Sequence, residues 1–266
     1  LDLGLHPMCD DLVKVGDKRI SNKYPIEILY CKNCFTAHQH YQIPKHELFP
    51  KSYHYRARFT SDVLNGMKDL VDSCENKYGN LKDKKILDIG CNDGSLLDFF
   101  NLKGAKTFGI EPTGAFLDAK EKGHKVYNDY LSIKTCNQIV NDYGKPNIIT
   151  FTNVFAHIED LNDVLNCLKV LMSNKTLLII ENHYLGSVLD GNQFDTFYHE
   201  HPRTYSYKSF LEISKSIGFK LLKVQFPIRY GGNIRVFIGN GKEPDVDKDL
   251  INKESEFFMK FKSMNE

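Results

Sequence analysis

Hydrophobic residues change their spacing near residue 60. Upstream, Tyr, His, Pro and Cys are scattered with no long helical period, which predicts short strands and turns around Cys31-Lys-Asn-Cys34, a small irregular module over residues 1–60. From Thr60, Val63, Met67, Leu70 and Val71 recur at helical spacing and predict an amphipathic helix to about Lys77. Lys84-Lys-Ile-Leu-Asp-Ile-Gly90 is a short apolar run closed by a turn, the pattern of a strand buried on both faces. An alternation follows. A helix is predicted after Ser95, a strand over Thr107–Ile110, a helix over Ala115–Lys122, a weak strand over Lys125–Tyr127 and a helix through Ile139. Then come a strand over Asn147–Thr152, a helix near Leu161–Leu171 and a strand over Thr176–Ile180. A helix over Ser209–Ile217 and late strands over Lys220–Gln225 and Ile234–Ile238 complete the series. Strands alternating with helices imply an α/β fold, a parallel sheet covered on both faces, here spanning residues 61–240. The charged tail over 241–266 reads as a helix leading away, the start of a linker to a further domain.

Composition narrows the function classes. The 266 residues carry 35 basic and 34 acidic side chains, a formal net charge of +1, with no basic block or stripe, so nucleic acid is not an expected partner. Apolar runs are short and bounded by charge, no signal-like segment opens the chain, and a cytoplasmic protein without membrane spans is expected. No pattern sets an oligomeric state. Seven cysteines at irregular spacing do not suggest a disulfide framework, and only Cys31 and Cys34 stand at an informative distance.

Asp88-Ile-Gly-Cys-Asn-Asp-Gly94 lies directly after a predicted strand and before a predicted helix. Gly90 and Gly94 permit a sharp turn and close approach of a ligand, and the helix start offers unpaired amides. Glu111, at the end of the next strand, can accept both hydroxyls of an adenosine ribose. An ordinary strand–turn–helix corner with a surface glutamate is the bland alternative. A nicotinamide cofactor would require G-x-G-x-x-G, which this loop lacks. The Asp-x-Gly-x-x-x-Gly form with a downstream acid resembles the S-adenosylmethionine site of class I methyltransferases, and so implies a Rossmann-like domain. Asn92 replaces a glycine common there, and asparagine tolerates a left-handed backbone. Asn153, just past its strand, is expected at the rim of the same site.

The second concentration of chemistry is Gln193-Phe-Asp-Thr-Phe-Tyr-His-Glu-His201, followed by Pro202-Arg-Thr-Tyr-Ser206. Tyr198, His199, Glu200 and His201 are costly to bury without partners. They can be a polar surface loop with aromatic anchors, or His199 and His201 can be metal ligands, although alternate residues of an extended segment face opposite ways. They can also be a general base, an orienting carboxylate and a polarising phenol.

Phe194–His201, the loop Asn92-Asp-Gly94, Phe155-Ala-His157, Glu181 and Gly231-Gly-Asn-Ile-Arg235 together resemble the sugar C-methyltransferases, which methylate a ring carbon of a nucleotide-linked keto-deoxysugar. The resemblance extends over nearly the whole chain. It implies that His201 removes the proton beside the ketone, that Glu200 orients the active-site histidine, and that Tyr198 and His157 line the enolate pocket. Tyr53, Tyr55, Asn233 and Arg235 are the expected substrate contacts, and a nucleotide sugar the expected partner. Chemistry agrees, since a ketone makes the adjacent proton removable and imidazole suits that step. The chain departs from the family where Pro202-Arg203-Thr204 follows the second histidine and where Arg56 and Arg58 follow Tyr53. The sugar therefore differs or the acceptor is an oxygen, as in an O-methyltransferase acting on a sugar or its substituent. A non-catalytic cofactor-binding scaffold is the reading from another class.

The resemblance also implies an N-terminal zinc module with Cys31 and Cys34 as half of the site. A second Cys-x-x-Cys is expected shortly before the opening Leu-Asp-Leu-Gly, so the chain reads as a piece of a longer protein that also has a C-terminal sugar-nucleotide domain. Cys9 or His6 is the local alternative for closing the zinc site.

Overall fold

The computed structural model describes residues 1–242, 244 and 247–264. The chain opens on β1 (Asp2–Pro7), β2 (Lys23–Tyr30) and β3 (Ala37–Gln39), paired antiparallel in that order. The short α1 (Lys45–Leu48) and an irregular strap lead into α2 (Ser61–Tyr78). That helix buries Val63, Met67, Leu70, Val71 and Cys74, the stripe its periodicity predicts.

The expected alternation follows: β4 (Lys85–Ile89), α3 (Ser95–Leu102), β5 (Lys106–Ile110), α4 (Phe116–Glu121), β6 (Lys125–Tyr127), α5 (Ile133–Tyr143), β7 (Ile148–Thr152), α6 (Leu161–Leu171) and β8 (Leu177–His183). Then come α7 (Leu185–Asp190), β9 (Arg203–Thr204), α8 (Tyr207–Ser216), β10 (Lys220–Gln225), β11 (Asn233–Gly239), α9 (Lys248–Ser255) and α10 (Phe257–Ser263). Among the described residues four helices are started by side chains that occupy free backbone amides: Ser132 caps α5, Asp160 caps α6, Ser206 caps α8 in a reciprocal pair with Ser209, and Asp247 caps α9.

Seven strands form the main sheet in the order β10-β11-β8-β7-β4-β5-β6. β8 to β6 run parallel, and β11 and β10 are added antiparallel. The central strands β4, β7 and β8 are buried almost throughout, because helices cover both faces. The connection direction reverses between β4 and β7, which opens a crevice beyond their carboxyl ends, where ligands bind in such sheets.

The short strands and turns expected over residues 1–60 are present as β1 to β3 and their connections, and the fourth strand of their sheet is β9, from the far side of the sequence, giving the order β1-β2-β3-β9. The expectation for the tail is corrected. The tail does not lead away. Phe257 and Phe261 enter the main core, and buried Glu254 accepts hydrogen bonds from the amides of Tyr207 (2.7 Å) and Lys208 (2.8 Å) at the start of α8 and from the Tyr184 hydroxyl (2.9 Å). Residues 243, 245–246 and 265–266 of the span read as a linker lie outside the described residues.

Candidate active site

The turn after β4 needs left-handed backbone at Gly90 (φ 71°), Asn92 (φ 50°) and Gly94 (φ 76°), so asparagine stands in for glycine as its sequence position suggests. A Cβ on Gly90 would lie 2.6 Å from Val154 Cγ2. One on Gly94 would meet His124 and Ala119, so Gly94 lets α3 pack against α4 and is not part of the cleft wall. A cleft of about 800 Å³ runs from this turn across the carboxyl ends of β4 and β7, with Asp88, Gly90, Asn92, Glu111, Thr113 and Asn153 at one end.

Glu111 is buried, and its carboxylate accepts from the Asn92 amide (2.9 Å), the Thr113 amide (2.9 Å) and the Thr113 hydroxyl (2.6 Å). Burial raises its pKa above the ordinary carboxylate range, and these donors oppose the rise. Asp88 sits behind the turn and accepts from the Thr150 hydroxyl at 2.6 Å, with burial pushing its pKa up to about 7. Thr152 Oγ1 and Asn153 Oδ1 line the cleft, buried and without hydrogen-bond partners. Unpaired polar atoms, a carboxylate and a backbone turn that admits close approach fit the adenosyl and amino-acid portions of S-adenosylmethionine.

The strap before α2 closes over this end. Ala57 and Arg58 donate their amides to Asn92 and Asp93, and Asn92 donates to the Tyr55 carbonyl. Arg56 (2.5 Å) and Arg58 (3.3 Å) pair with Asp118 on α4. The two arginines, unusual beside the resembled family, thus tie the strap down.

At the other end the cleft is lined by Tyr53, Tyr55, His157, His183, Tyr198, Glu200, His201 and Tyr230. His201 Nδ1 lies 3.0 Å from the Thr196 carbonyl oxygen. A carbonyl only accepts, so Nδ1 carries the proton, and the lone pair on Nε2 takes the Tyr198 hydroxyl at 3.1 Å. His157 Nδ1 donates likewise to the Glu200 carbonyl at 2.6 Å. Ring centroids place His201 4.8 Å from His157 and 5.1 Å from His183. Burial first, and then these neighbours, hold His201 well below the usual imidazole range, and burial takes His183 down to about 4. The cluster is neutral near pH 7 and can accept protons.

Several site expectations are corrected. The Glu200 carboxylate does not reach His201; it accepts from the Cys9 thiol (3.0 Å) and the Tyr53 hydroxyl (3.3 Å). His201 is oriented by Thr196 and Tyr198 instead. Asn233 and Arg235 lie outside the cleft. Both donate to the fully buried Glu181, Arg235 Nε at 2.6 Å and Asn233 Nδ2 at 3.0 Å, and the Glu181 carbonyl in turn accepts from the Asn153 amide at 2.8 Å. They support the cleft from one layer behind. Thr113, His183, Gln193 and Tyr230 are lining residues not singled out from sequence, and Gln193 leaves its buried Oε1 without a partner.

Cys31 and Cys34 share a tight turn closed by the Phe35 amide on the Cys31 carbonyl, and Cys34 Sγ contacts Thr36 Oγ1 at 2.9 Å. Among the described residues no third Cys, His, Asp or Glu joins them at ligand distance. Cys9 is engaged at Glu200, and His6 Nε2 bonds the Leu3 carbonyl. Two thiols do not make a closed four-ligand zinc site, so the residues present do not fit one alone.

Comparison with known proteins agrees with this geometry. Residues 56–224 match the family described as "Methyltransferase domain". The chain belongs to this family. This methyltransferase is 27% identical over 215 residues to C-methyltransferase NovU of Streptomyces niveus, covering 80% of the chain and 51% of NovU. It is 32% identical over 108 residues to a ubiquinone biosynthesis O-methyltransferase of Aeromonas salmonicida, covering 38% and 44%. The chain thus spans about half the length of the curated relatives it matches. An S-adenosylmethionine-dependent methyltransferase from Clostridium acetobutylicum aligns with TM-score 0.53 at 15% identity, over 67% of this chain and 92% of that one. A magnesium protoporphyrin IX methyltransferase from Synechocystis with bound S-adenosylhomocysteine aligns at 0.51 and 15%, over 68% and 84%. At such identities the likeness is one of fold, the Rossmann-like class I methyltransferase sheet. No described helix of the methyltransferase is long and apolar enough to cross a membrane.

Proposed function

We propose that this methyltransferase adds a methyl group to a ring carbon beside the ketone of a nucleotide-linked deoxysugar. One observation carries the reading: a single cleft joins the Asn92–Glu111 end to a cluster of neutral imidazoles and phenols. S-adenosylmethionine, when bound, supplies an electrophilic methyl group. The chain's residues prepare the nucleophile. A neutral imidazole, His201 in this reading, takes the proton from the carbon beside the carbonyl, and Tyr198 holds its ring in place. Phenol hydroxyls and the free Gln193 Oε1 suit the edges of a hydroxylated ring, and aromatic faces suit its C–H surface. The resemblance to a C-methyltransferase over most of the chain supports carbon as the acceptor.

The similarity to an O-methyltransferase keeps oxygen as the competing acceptor. Solvent deuterium exchange separates the two, because only a carbon acceptor loses a carbon-bound proton before methylation. Exchange into a nucleotide-linked keto-deoxysugar is expected with S-adenosylhomocysteine present in place of the methyl donor. His201→Asn should slow both exchange and methyl transfer by about 10²–10⁴ and leave S-adenosylhomocysteine affinity unchanged. Methyl transfer without exchange at any carbon, and with His201→Asn near parental activity, rejects the carbon reading.

A further inference from the structure

The strap between α1 and α2 lines both ends of the cleft, through Phe49, Tyr53, Tyr55, Ala57 and Thr60. At the substrate end Tyr53 donates to Glu200 at 3.3 Å, and Tyr55 meets Tyr230, whose ring lies 5.5 Å from that of His183. Phe49 packs edge-on against His157, with ring centroids 5.3 Å apart. Part of the substrate wall is therefore carried by an irregular segment, and its geometry depends on what holds that segment down.

The ties of the strap are unequal. Lys51 accepts from the Gly114 amide at 3.1 Å, and Arg56 and Arg58 pair with Asp118, but Gly114 and Asp118 lie outside the cleft. Asn92 lines the cleft. Its side chain gives both polar atoms to the strap: Oδ1 accepts the Ala57 amide at 3.0 Å, and Nδ2 donates to the Tyr55 carbonyl at 3.1 Å. Its own backbone amide donates to Glu111 at 2.9 Å. One residue thus joins the carboxylate suited to the ribose to the segment that carries Tyr53 and Tyr55. A glycine in its place would take the same left-handed turn (φ 50°) but could make neither side-chain bond.

We propose that Asn92 is a positioning residue whose side chain latches the strap over the cofactor end, and that the latched strap completes the substrate end, so that cofactor and substrate bind cooperatively. The reason is linkage. The turn and the strap both line the cleft, so a ligand held between them contacts both only when the strap is down. Such a ligand favours the latched state by the difference in its affinity for the two. The same state brings Tyr53 and Tyr55 to the substrate end, so each ligand raises the affinity of the other by one common factor. The cooperative part rests on the nucleotide-sugar reading; the latch does not.

Asn92→Gly keeps the turn and the amide bond to Glu111 and removes the two side-chain bonds. Amide hydrogen exchange over residues 55–58 should slow in the parent when S-adenosylhomocysteine binds. In Asn92→Gly that exchange should run about tenfold faster, the scale of two lost neutral hydrogen bonds, and S-adenosylhomocysteine should dissociate faster by a similar factor. Ala57→Pro cuts the latch from the strap side, and the extended Arg56 before it suits a following proline. It should also speed dissociation, and the double variant should be no faster than Asn92→Gly, because both remove the same bond. Additive effects overturn the proposal, as does parental strap exchange in a folded Asn92→Gly; fast dissociation with parental exchange would make Asn92 a direct cofactor contact instead. Calorimetry tests the cooperation. In the parent, S-adenosylhomocysteine and a nucleotide-linked keto-deoxysugar should each tighten the other by the same factor, and Asn92→Gly should lose most of it. A sugar that binds the parent without coupling sinks the cooperative part. A sugar that does not bind sinks the nucleotide-sugar reading, while strap exchange and dissociation still decide the latch.

Discussion

Glu111 already holds three donors from the chain itself, so its carboxylate is oriented before any ligand arrives. A ribose diol adds charge-assisted hydrogen bonds to a group that needs no reordering, each worth roughly 1.5–3 kcal/mol. Glu111→Ala should therefore weaken S-adenosylhomocysteine binding by at least about tenfold in calorimetry, and unchanged affinity would take Glu111 out of the site. The three packed imidazoles have an opposite cost. The folded chain resists protonating His183 until about pH 4, whereas an unfolded histidine takes its proton near pH 6.5. Between those values the unfolded state binds more protons, so stability rises with pH through this window and is flat above about 7. Thermal unfolding should show a fall in Tm from pH 7 to pH 5, and His183→Gln should make that fall shallower; an equal slope in the variant would clear His183 of the effect.

Elements with a strong period were legible, and those built by long-range pairing were not. The stripe of α2 and the apolar runs of β4, β7 and β8 are visible because each buries a continuous face of its own. The two-residue β9 has no period, and only its pairing with β3 makes it a strand. The same distinction governs the site. The Asp88–Gly94 turn announces itself through its neighbours in sequence. Arg235 is expected at the substrate on the family resemblance alone, because nothing local in the sequence shows that Glu181 stands across the ladder from it. The tail misled for a related reason: its charges suggest solvent, while Glu254 is the buried anchor. Glu254→Ala strips two amides and a phenol of their acceptor, which should lower unfolding stability by about 3 kcal/mol and raise protease cutting ahead of α9. A variant with parental stability and cutting would mean that the tail docks through its phenylalanines.

On the scale of the whole molecule, the segment that carries Tyr198 to His201 runs into β9 of the N-terminal sheet and is bridged at Tyr205 to Tyr184, the residue that follows β8 of the main sheet. Zinc affinity reports on the N-terminal module. With only Cys31 and Cys34 available, the chain should release zinc to a moderate chelator and keep its circular dichroism. Tight stoichiometric zinc sensitive to Cys31→Ser would show that a further ligand closes the site. The Tyr198–His201 segment is gripped from both sides. Gln39 donates its amide to Pro202 and its side chain to the Tyr198 and His201 carbonyls, while Tyr205 bridges to Tyr184 on the other side. A recombination point at residue 60 looks natural on a domain diagram, yet it would separate Gln39 from the backbone it steadies. Lineages that exchanged only the front module would inherit a histidine cluster out of alignment, so front module and catalytic segment are expected to travel as one inherited block.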